Sequence, residues 1–318
     1  MIKRWIILLL AVQAGAALAL AAVVHQLWRP AWLVSLQPPL NAPLTALAYL
    51  AIGLASVLLV RLALSVNNFL LSSRAGKGDP TPAAHALNPA SAASLFLHEF
   101  GASMLASTYY MLRPLGMQLQ PNARGLPVLL IHGYACNSGY WRPLSAQLAR
   151  AGISHYGIDL EPPGASIDAY APQVQAAIER LCAATGSKQV IIVGHSMGGL
   201  VARAWLRRYG AAAVARVITL GTPHHGTALA HLGPGGNAVQ MRYRSEWLAA
   251  LAASEANLQR SLFSSIYSVH DNIVAPQDSG ALPGARNLVF GAIGHVALGR
   301  HPVILRCALD EIAAVGGL

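Results

Sequence analysis

Long apolar runs dominate the first 71 residues of the chain. Residues 5–24 form one run, and no Asp, Glu, Lys or Arg occurs between Trp5 and Trp28. Residues 44–64 form a second run, with Arg61 near its end. A helix of about 20 apolar residues crosses the ~30 Å hydrocarbon layer of a membrane. The pattern therefore predicts a transmembrane hairpin over residues 1–71, with an interfacial turn in the proline- and tryptophan-rich residues 28–43.

The charges beside these runs suggest an alternative for the first run and an orientation for the pair. Lys3 and Arg4 precede the first run, as they would precede a cleaved signal peptide, but the apolar core of a signal peptide has only about 7–15 residues. We therefore favour an uncleaved span. Three basic residues lie at or just after the end of the second run, and one lies in the loop. Because basic flanks stay inside, we expect an inner-membrane protein with residues 72–318 in the cytoplasm; a periplasmic placement is the alternative.

Residues 72–120 connect the apolar runs to the rest of the chain. The first part, residues 72–94, is rich in Ser, Pro, Gly and Ala and predicts a linker. Residues 95–115 are apolar and aromatic at mixed helical spacing, with Glu99 and Arg113 among few charges. Two interpretations stay open for this predicted helix: it lies on the membrane surface, or it packs on the domain that follows.

From residue 121 to residue 318, short β-rich runs alternate with helical ones. The predicted strands are residues 127–132, 154–159, 189–193, 216–220, 264–269 and 287–290, and the predicted helices are residues 141–151, 167–184, 197–209 and 302–314. Alternation of this kind is typical of a parallel sheet with crossover helices. Near-continuous apolar runs such as VIIV are typical of strands covered on both faces.

Composition and charge argue against some classes of function. The chain is 54% hydrophobic and 11% charged, with a formal net charge of +10. Residues 1–120 contribute +5 (seven basic, two acidic), and residues 121–318 contribute +5 (fifteen basic, ten acidic), with the basic residues scattered. This scatter argues against a nucleic-acid-binding patch, whereas a membrane surface is a compatible partner. The three cysteines are too few and too dispersed to form a disulfide framework.

A candidate nucleophile lies in the sequence Gly194-His195-Ser196-Met197-Gly198, which fits the pattern G-x-S-x-G. A predicted strand enters this sequence and a predicted helix leaves it, which is the setting of a nucleophile elbow. The serine of such an elbow adopts a strained backbone, so the residues two before and two after it must be small. Gly194 and Gly198 meet this requirement, and Ser196 is therefore the candidate nucleophile.

A serine nucleophile needs a histidine base and a carboxylate to orient it. With this kind of elbow the chain order is Ser, acid, His, and the acids after Ser196 are Glu246, Glu255, Asp271, Asp278, Asp310 and Glu311. The last two have no histidine after them, and the first two lie in a helical segment. Asp271 directly follows a predicted strand and is the candidate acid, with Asp278 in reserve. His295 ends a strand-and-glycine run and is the candidate base, whereas His301 precedes Pro302 at a helix entry.

The oxyanion that forms during acyl transfer needs two backbone N–H donors. One candidate is the amide of Met197, directly after the nucleophile. The other is the amide of Tyr134, in the loop after the first strand of the predicted domain. Gly133 in that loop permits a close approach of backbone to substrate.

Five linked motifs now resemble a known family. PVLLIHGY, GHSMGG, LGTPHHGT, DNIVAP and ARNLVFGAIGHVAL occur in the order found in bacterial triacylglycerol lipases and esterases of the α/β-hydrolase superfamily. The resemblance covers about residues 125–315. It implies an α/β-hydrolase fold for residues 121–318, Ser196, Asp271 and His295 as a catalytic triad, and a movable lid over residues 225–260.

The chain departs from the family in two respects. Many larger lipases of this kind bind calcium through an aspartate two residues after the catalytic histidine, and here that position is Ala297. We therefore expect no metal and no cofactor. His224 and His225 are adjacent on an extended segment and point to opposite sides, so we expect them to shape the rim of the site and not to bind a metal. The second departure is the pair of apparent spans, since most relatives are secreted.

The sequence thus predicts a membrane-anchored serine esterase or lipase that cleaves a lipid or other acyl ester through an acyl-serine. Two alternatives stay open. One is an acyltransferase with the same triad, and the other is a non-catalytic membrane-bound module on a hydrolase fold.

Overall fold

The computed structural model describes residues 2–27, 38–75, 81–255 and 257–316. The chain divides into two compact units, one formed by Arg4–Asn68 and the other by Phe69–Leu318 together with Met1–Lys3, and each unit is described here by itself. Most of the predicted turn over residues 28–43 lies outside the described residues.

The first unit is helical. Helix α1 spans Ile2–Leu27, and helix α2 begins at Pro38 and ends at Ala75. The segment Pro43–Ala75 of α2 has a mean hydropathy of 2.2 and is long enough to cross a membrane, whereas Leu10–Leu20 is a shorter apolar segment within α1. Arg61 of α2 donates to the Gln13 side chain at 3.2 Å, so a neighbouring helix offers a partner to this cation. The N-terminal region therefore contains one long apolar helix with the dimensions of a membrane anchor.

Helix α3 spans Pro89–Leu105, six residues earlier than the predicted start at 95. The earlier start has a local cause: the Asn88 side chain accepts from the Ser91 amide at 2.8 Å, and Pro89 occupies the first helical position. A π-helical turn, Ala106–Tyr110, follows. Leu95 and Ala102 are buried within the second unit, so α3 packs on the domain, which is one of the two interpretations that the sequence left open.

The described residues of the second unit form a seven-stranded sheet with the order β1-β3-β2-β4-β5-β6-β7. The strands are β1 (Met117–Gln118), β2 (Val128–Ile131), β3 (His155–Ile158), β4 (Val190–His195), β5 (Val214–Leu220), β6 (Phe263–Ser268) and β7 (Arg286–Phe290). Strand β1 is antiparallel to β3, and all the other pairs are parallel. The six predicted strands agree with β2–β7 to within two residues at each end, and only β1 was missed.

Helices cover both faces of this sheet. They are α4 (Arg142–Arg150), α5 (Ile167–Thr185), α6 (Met197–Tyr209), α7 (Gly236–Gln240), α8 (Glu246–Ala253), α9 (Asn257–Ser261) and α10 (Pro302–Gly316). Successive side chains of a strand point to opposite faces. Leu129 and Ile131 accordingly belong to one core cluster, with α5 and α6, while Val128 and Leu130 belong to another, with α4 and α10. Both faces bury apolar surface, which explains the unbroken apolar runs of the central strands.

Candidate active site

The predicted elbow lies between β4, which ends at His195, and α6, which begins at Met197. Ser196 has φ 54° and ψ −123°, a backbone conformation that costs about 1–3 kcal/mol for a non-glycine residue. Its amide donates to the Leu220 carbonyl at 2.9 Å, and its own carbonyl accepts from the Thr222 hydroxyl at 2.9 Å. These bonds to β5 and the residues just beyond it hold the strained turn in place.

The two elbow glycines are required by the close approach of α6 to the sheet. A Cβ at Gly194 would lie 2.7 Å from the amide nitrogen of Gly199. A Cβ at Gly198 would lie 2.3 Å from the carbonyl oxygen of Ile131, at the end of β2. The obstacles are backbone atoms, which cannot rotate away, so neither position accommodates a side chain.

Asp271 and His295 follow β6 and β7, at the same edge of the sheet as the elbow. His295 Nδ1 lies 2.7 Å from Asp271 Oδ2, and both side chains are buried. Asp271 Oδ1 accepts from the amides of Ile273 and Val274, each at 2.8 Å. The amide of His295 donates to Asn272 Oδ1 at 3.0 Å, which ties the two loops together. Each oxygen of the Asp271 carboxylate therefore has a defined donor.

The electrostatics favour a charged imidazole at His295. Burial alone would lower the pKa of His295, but the charge and hydrogen bond of Asp271, followed by the charge of Glu99, raise it above its ordinary value. Because a carboxylate only accepts, Nδ1 carries a proton and Nε2 is left as the acceptor in the neutral ring. A general base for a hydroxyl needs an imidazole in this tautomer.

The other acids considered in the sequence lie elsewhere. Asp278 lies in the 3₁₀ turn Gln277–Gly280, and its charge acts on His225, whose pKa is lowered by burial and by Arg203. Glu246 is the first residue of α8, and Glu255 forms a buried ion pair with Arg203, with N···O distances of 2.6 and 2.8 Å. Among the described residues, the acid placed on the imidazole of His295 is therefore Asp271.

The second candidate histidine, His301, immediately precedes α10, as expected. Its amide donates to the Ala297 carbonyl at 2.8 Å, and its carbonyl accepts from the Leu305 amide at 2.9 Å. The backbone of His301 therefore forms the first hydrogen bonds at the start of α10.

The candidate oxyanion donors lie beside the elbow. A Cβ at Gly133 would lie 3.0 Å from Ser196 Cβ, so the loop after β2 runs directly against the serine. The loop that carries Tyr134 therefore lies against the elbow, while the oxyanion role of the two amides stays a prediction.

The segment predicted as a lid, residues 225–260, lies between β5 and β6 and contains α7, α8 and most of α9. The phenol of Tyr134 donates to the carbonyl of Pro234 at 2.8 Å, which joins the loop after β2 to this segment. Farther along, Trp247 Nε1 donates to Asp168 Oδ2 of α5 at 2.7 Å. Hydrogen bonds to the loop after β2 and to α5 therefore hold the segment.

The expectation that both adjacent histidines shape the rim is wrong for His224. His224 is buried, and its Nε2 lies 3.2 Å from the hydroxyls of Thr219 and Ser265, on β5 and β6. The neighbouring His225 is half-buried. The two residues lie at the centre of a turn, in which the Gly226 amide donates to the Pro223 carbonyl at 2.9 Å, and not on the extended segment that the sequence suggested; the first side chain is directed into the sheet. Throughout residues 2–27, 38–75, 81–255 and 257–316, three or more His, Cys, Asp or Glu residues nowhere form a group that could hold a metal.

The sequence analysis did not predict a role for two polar residues that lie near His295. The ring of His195 lies between the rings of Tyr140 and His295, with centroid separations of 4.3 and 4.7 Å, and its Nε2 donates to the carbonyl of His295 at 3.1 Å. Glu99 of α3 accepts from the amides of Val296 and Ala297, each at 2.9 Å. The signal for Glu99 was present in the sequence, since an acid in an otherwise apolar helix needs a partner when it is buried.

Comparison with known proteins agrees with this architecture. A family model for the α/β-hydrolase fold matches residues 127–264. Triacylglycerol lipases from Burkholderia plantarii and Pseudarthrobacter phenanthrenivorans are 31% identical over 154 residues and 33% identical over 117 residues. These matches cover 44% and 33% of this chain, and 38% and 35% of the relatives. The chain thus spans little more than a third of the length of these curated relatives.

Solved structures show the same fold. The mature form of Bacillus licheniformis lipase BlEst2 superposes with a TM-score of 0.54 at 20% identity, covering 61% of this chain and 94% of that one. Aspergillus fumigatus lipase B gives a TM-score of 0.53 at 20% identity, covering 63% of this chain and 57% of that one. The second unit has an α/β-hydrolase fold, as predicted.

Proposed function

We propose that this protein is a membrane-anchored serine hydrolase of carboxylic esters, in which Ser196, Asp271 and His295 form a catalytic triad. The observation that carries the proposal is the 2.7 Å contact between Asp271 Oδ2 and His295 Nδ1, made by loops at the edge of the sheet where the strained Ser196 elbow lies. The names of the triacylglycerol lipases that the chain resembles support a lipid or other acyl ester as substrate.

The proposed reaction proceeds through an acyl-serine. Nε2 of His295 takes the proton of the Ser196 hydroxyl while Oγ attacks the ester carbonyl carbon, and Asp271 stabilises the imidazolium. The amides of Met197 and Tyr134 bind the oxyanion of the tetrahedral intermediate. The C–O bond then breaks, and His295 returns the proton to the departing alcohol. A water molecule, deprotonated by His295, releases the acid by the same steps in reverse.

The nucleophile is tested with a fluorophosphonate probe on the full-length protein in detergent. We expect Ser196 to be labelled, and Ser196→Ala to lose both labelling and ester hydrolysis. Ser94→Ala, an exposed serine of α3, is the control and should behave as the unmodified protein. Persistent labelling of the Ser196→Ala protein would refute the assignment.

A panel of p-nitrophenyl esters and phospholipids, with and without added alcohols, tests the acyl acceptor. Free acid as the main product supports the hydrolase. Predominant transfer of the acyl group to the alcohol would instead support the acyltransferase alternative.

We further propose that the N-terminal helices anchor the protein in the inner membrane with residues 72–318 in the cytoplasm. The basic flanks of the two apolar runs and the length of the segment Pro43–Ala75 support this proposal. Fusion of alkaline phosphatase or green fluorescent protein to the C-terminus distinguishes the two sides. We expect a fluorescent protein and an inactive phosphatase; the reverse pattern would place the enzyme in the periplasm.

A further inference from the structure

Helix α3 contributes one acidic side chain, Glu99, to the neighbourhood of His295. The side chain is 2% exposed, and its two oxygens accept separate hydrogen bonds. Oε1 accepts from the Val296 amide and Oε2 from the Ala297 amide, both at 2.9 Å. These two residues directly follow His295 and begin the 3₁₀ turn Val296–Gly299. Glu99 therefore binds the backbone of the loop that carries the candidate base.

The loop is shaped around this carboxylate. A Cβ at Gly294 would lie 2.5 Å from Glu99 Oε2 and 2.6 Å from its Cδ, so a side chain at this position would displace the carboxylate. Burial raises the pKa of Glu99 above its ordinary value; the two amides and the charge of His295 oppose that rise, and the charge of Asp271 adds to it. Because each oxygen accepts an N–H and neither needs to donate, the arrangement suits the ionised form.

The other contacts of the loop leave Glu99 a distinct role. The amide of His295 is held by Asn272, and its carbonyl by the ring of His195. Glu99 binds the amides of the next two residues, Val296 and Ala297. It therefore restrains the backbone on the C-terminal side of His295. It also places a second negative charge near the ring, in addition to that of Asp271.

The segment upstream of the predicted domain also reaches the acid loop. The hydroxyl of Ser72, near the end of α2, donates to the carbonyl of Asp271 at 3.2 Å, beside Gln277 Nε2, which donates to the same oxygen at 3.0 Å. Residues before 121 thus contact the backbone on both sides of the Asp271–His295 pair.

We propose that Glu99 is a positioning residue for the catalytic base: its carboxylate, supplied by a helix outside the predicted catalytic domain, fixes the loop that carries His295 and stabilises the imidazolium that forms during the reaction. This inference rests on the proposed role of His295. It assigns a function in the active site to the segment that joins the membrane helix to the hydrolase domain.

The test is Glu99→Gln in the full-length protein, with active sites counted by fluorophosphonate labelling. The substitution keeps the shape, but it removes the charge and turns an NH₂ group towards one of the two amides. We expect kcat per labelled site to fall about 10- to 100-fold, the size of a lost charge-assisted hydrogen bond, with little change in KM. The acid limb of the kcat/KM profile should move to lower pH, because losing a nearby negative charge lowers the pKa of His295.

Glu311→Gln is the matched control. Glu311 is also a buried carboxylate, but it accepts from the hydroxyl of Ser264 and pairs with Arg286, away from the His295 loop. Glu311→Gln should change neither kcat per labelled site nor the acid limb. Glu99→Asp keeps the charge and shortens the side chain by one methylene, so we expect a lower kcat with the acid limb close to its original position.

Several results would overturn the proposal. One is an unchanged kcat and an unchanged acid limb for Glu99→Gln. Another is a loss confined to the number of labelled sites, with normal kcat per site, which would make Glu99 a purely structural residue. If Glu99→Gln does not fold, an unchanged kcat per labelled site for Glu99→Asp would also overturn the proposal. Failure of the proposed function is recognised separately, because Ser196 would then not react with the probe in the unmodified protein.

Discussion

Replacing Asp271 with Asn changes one carboxylate oxygen to an NH₂ group and removes the negative charge, with almost no change in shape. The structure specifies what each orientation of the amide would cost. In one orientation the remaining oxygen faces the amides of Ile273 and Val274, and the NH₂ group faces His295 Nδ1, which lies 2.7 Å from Oδ2 in the unmodified protein. In the other orientation the NH₂ group faces two N–H donors.

The first orientation should prevail. A buried donor left without an acceptor costs about 1–3 kcal/mol, so the second orientation loses roughly 2–6 kcal/mol over its two amides. The first orientation, however, forces Nδ1 of His295 to accept, and the ring must then carry its proton on Nε2. In this tautomer Nε2 has no lone pair for the proton of Ser196. We expect kcat to fall about 10⁴-fold, or ~5.5 kcal/mol in activation free energy.

The assay is single-substrate ester hydrolysis with active sites titrated, which separates kcat from the amount of folded enzyme. Asp278→Asn is the control, because Asp278 acts on His225 and should change kcat less than about threefold. A large loss for Asp278→Asn together with a small one for Asp271→Asn would refute the tautomer argument and the assignment of the acid.

Two further predictions concern pH dependence and stability. The pKa of His295 is raised above its ordinary value of about 6.5, and a general base must be neutral, so kcat/KM should fall as the pH decreases through a midpoint above 6.5; a midpoint below 6.5 in a kcat/KM profile would contradict this. Glu255→Gln should lower the free energy of unfolding by about 3–5 kcal/mol, because it leaves the cation of Arg203, whose side chain is 1% exposed, without its ionised partner. Urea denaturation in detergent measures this, with the exposed Glu179→Gln as the control, and equal denaturation midpoints for the two variants would contradict it.

The sequence predicted those parts of the fold that are encoded locally. Unbroken apolar runs identified β4 and β5 because both faces of these strands are covered. The elbow was recognisable because strand, glycines and helix are contiguous. The order of acid and base along the chain then selected Asp271 and His295, which the structure places in contact.

The parts that were missed depend on contacts between distant positions. Glu99 meets Val296 across a separation of 197 residues, and no local pattern encodes that encounter. The burial of His224 likewise depends on hydroxyl groups of two strands that only the folded sheet brings together. Strand β1 has two residues, too few to show an alternating pattern.

Strand β1 has a practical consequence for expression of the hydrolase domain alone. One side of β3 pairs with β2, and the other side pairs with Met117 and Gln118. A fragment begun at residue 121, the boundary that the sequence indicates, would remove this pairing and turn His155–Ile158 into an open edge strand. The exposed N–H and C=O groups of such an edge recruit strands from other molecules. A fragment that starts upstream of α3 keeps this edge covered, and it also keeps Leu95 and Ala102 buried on the domain, so it should self-associate less than the shorter fragment.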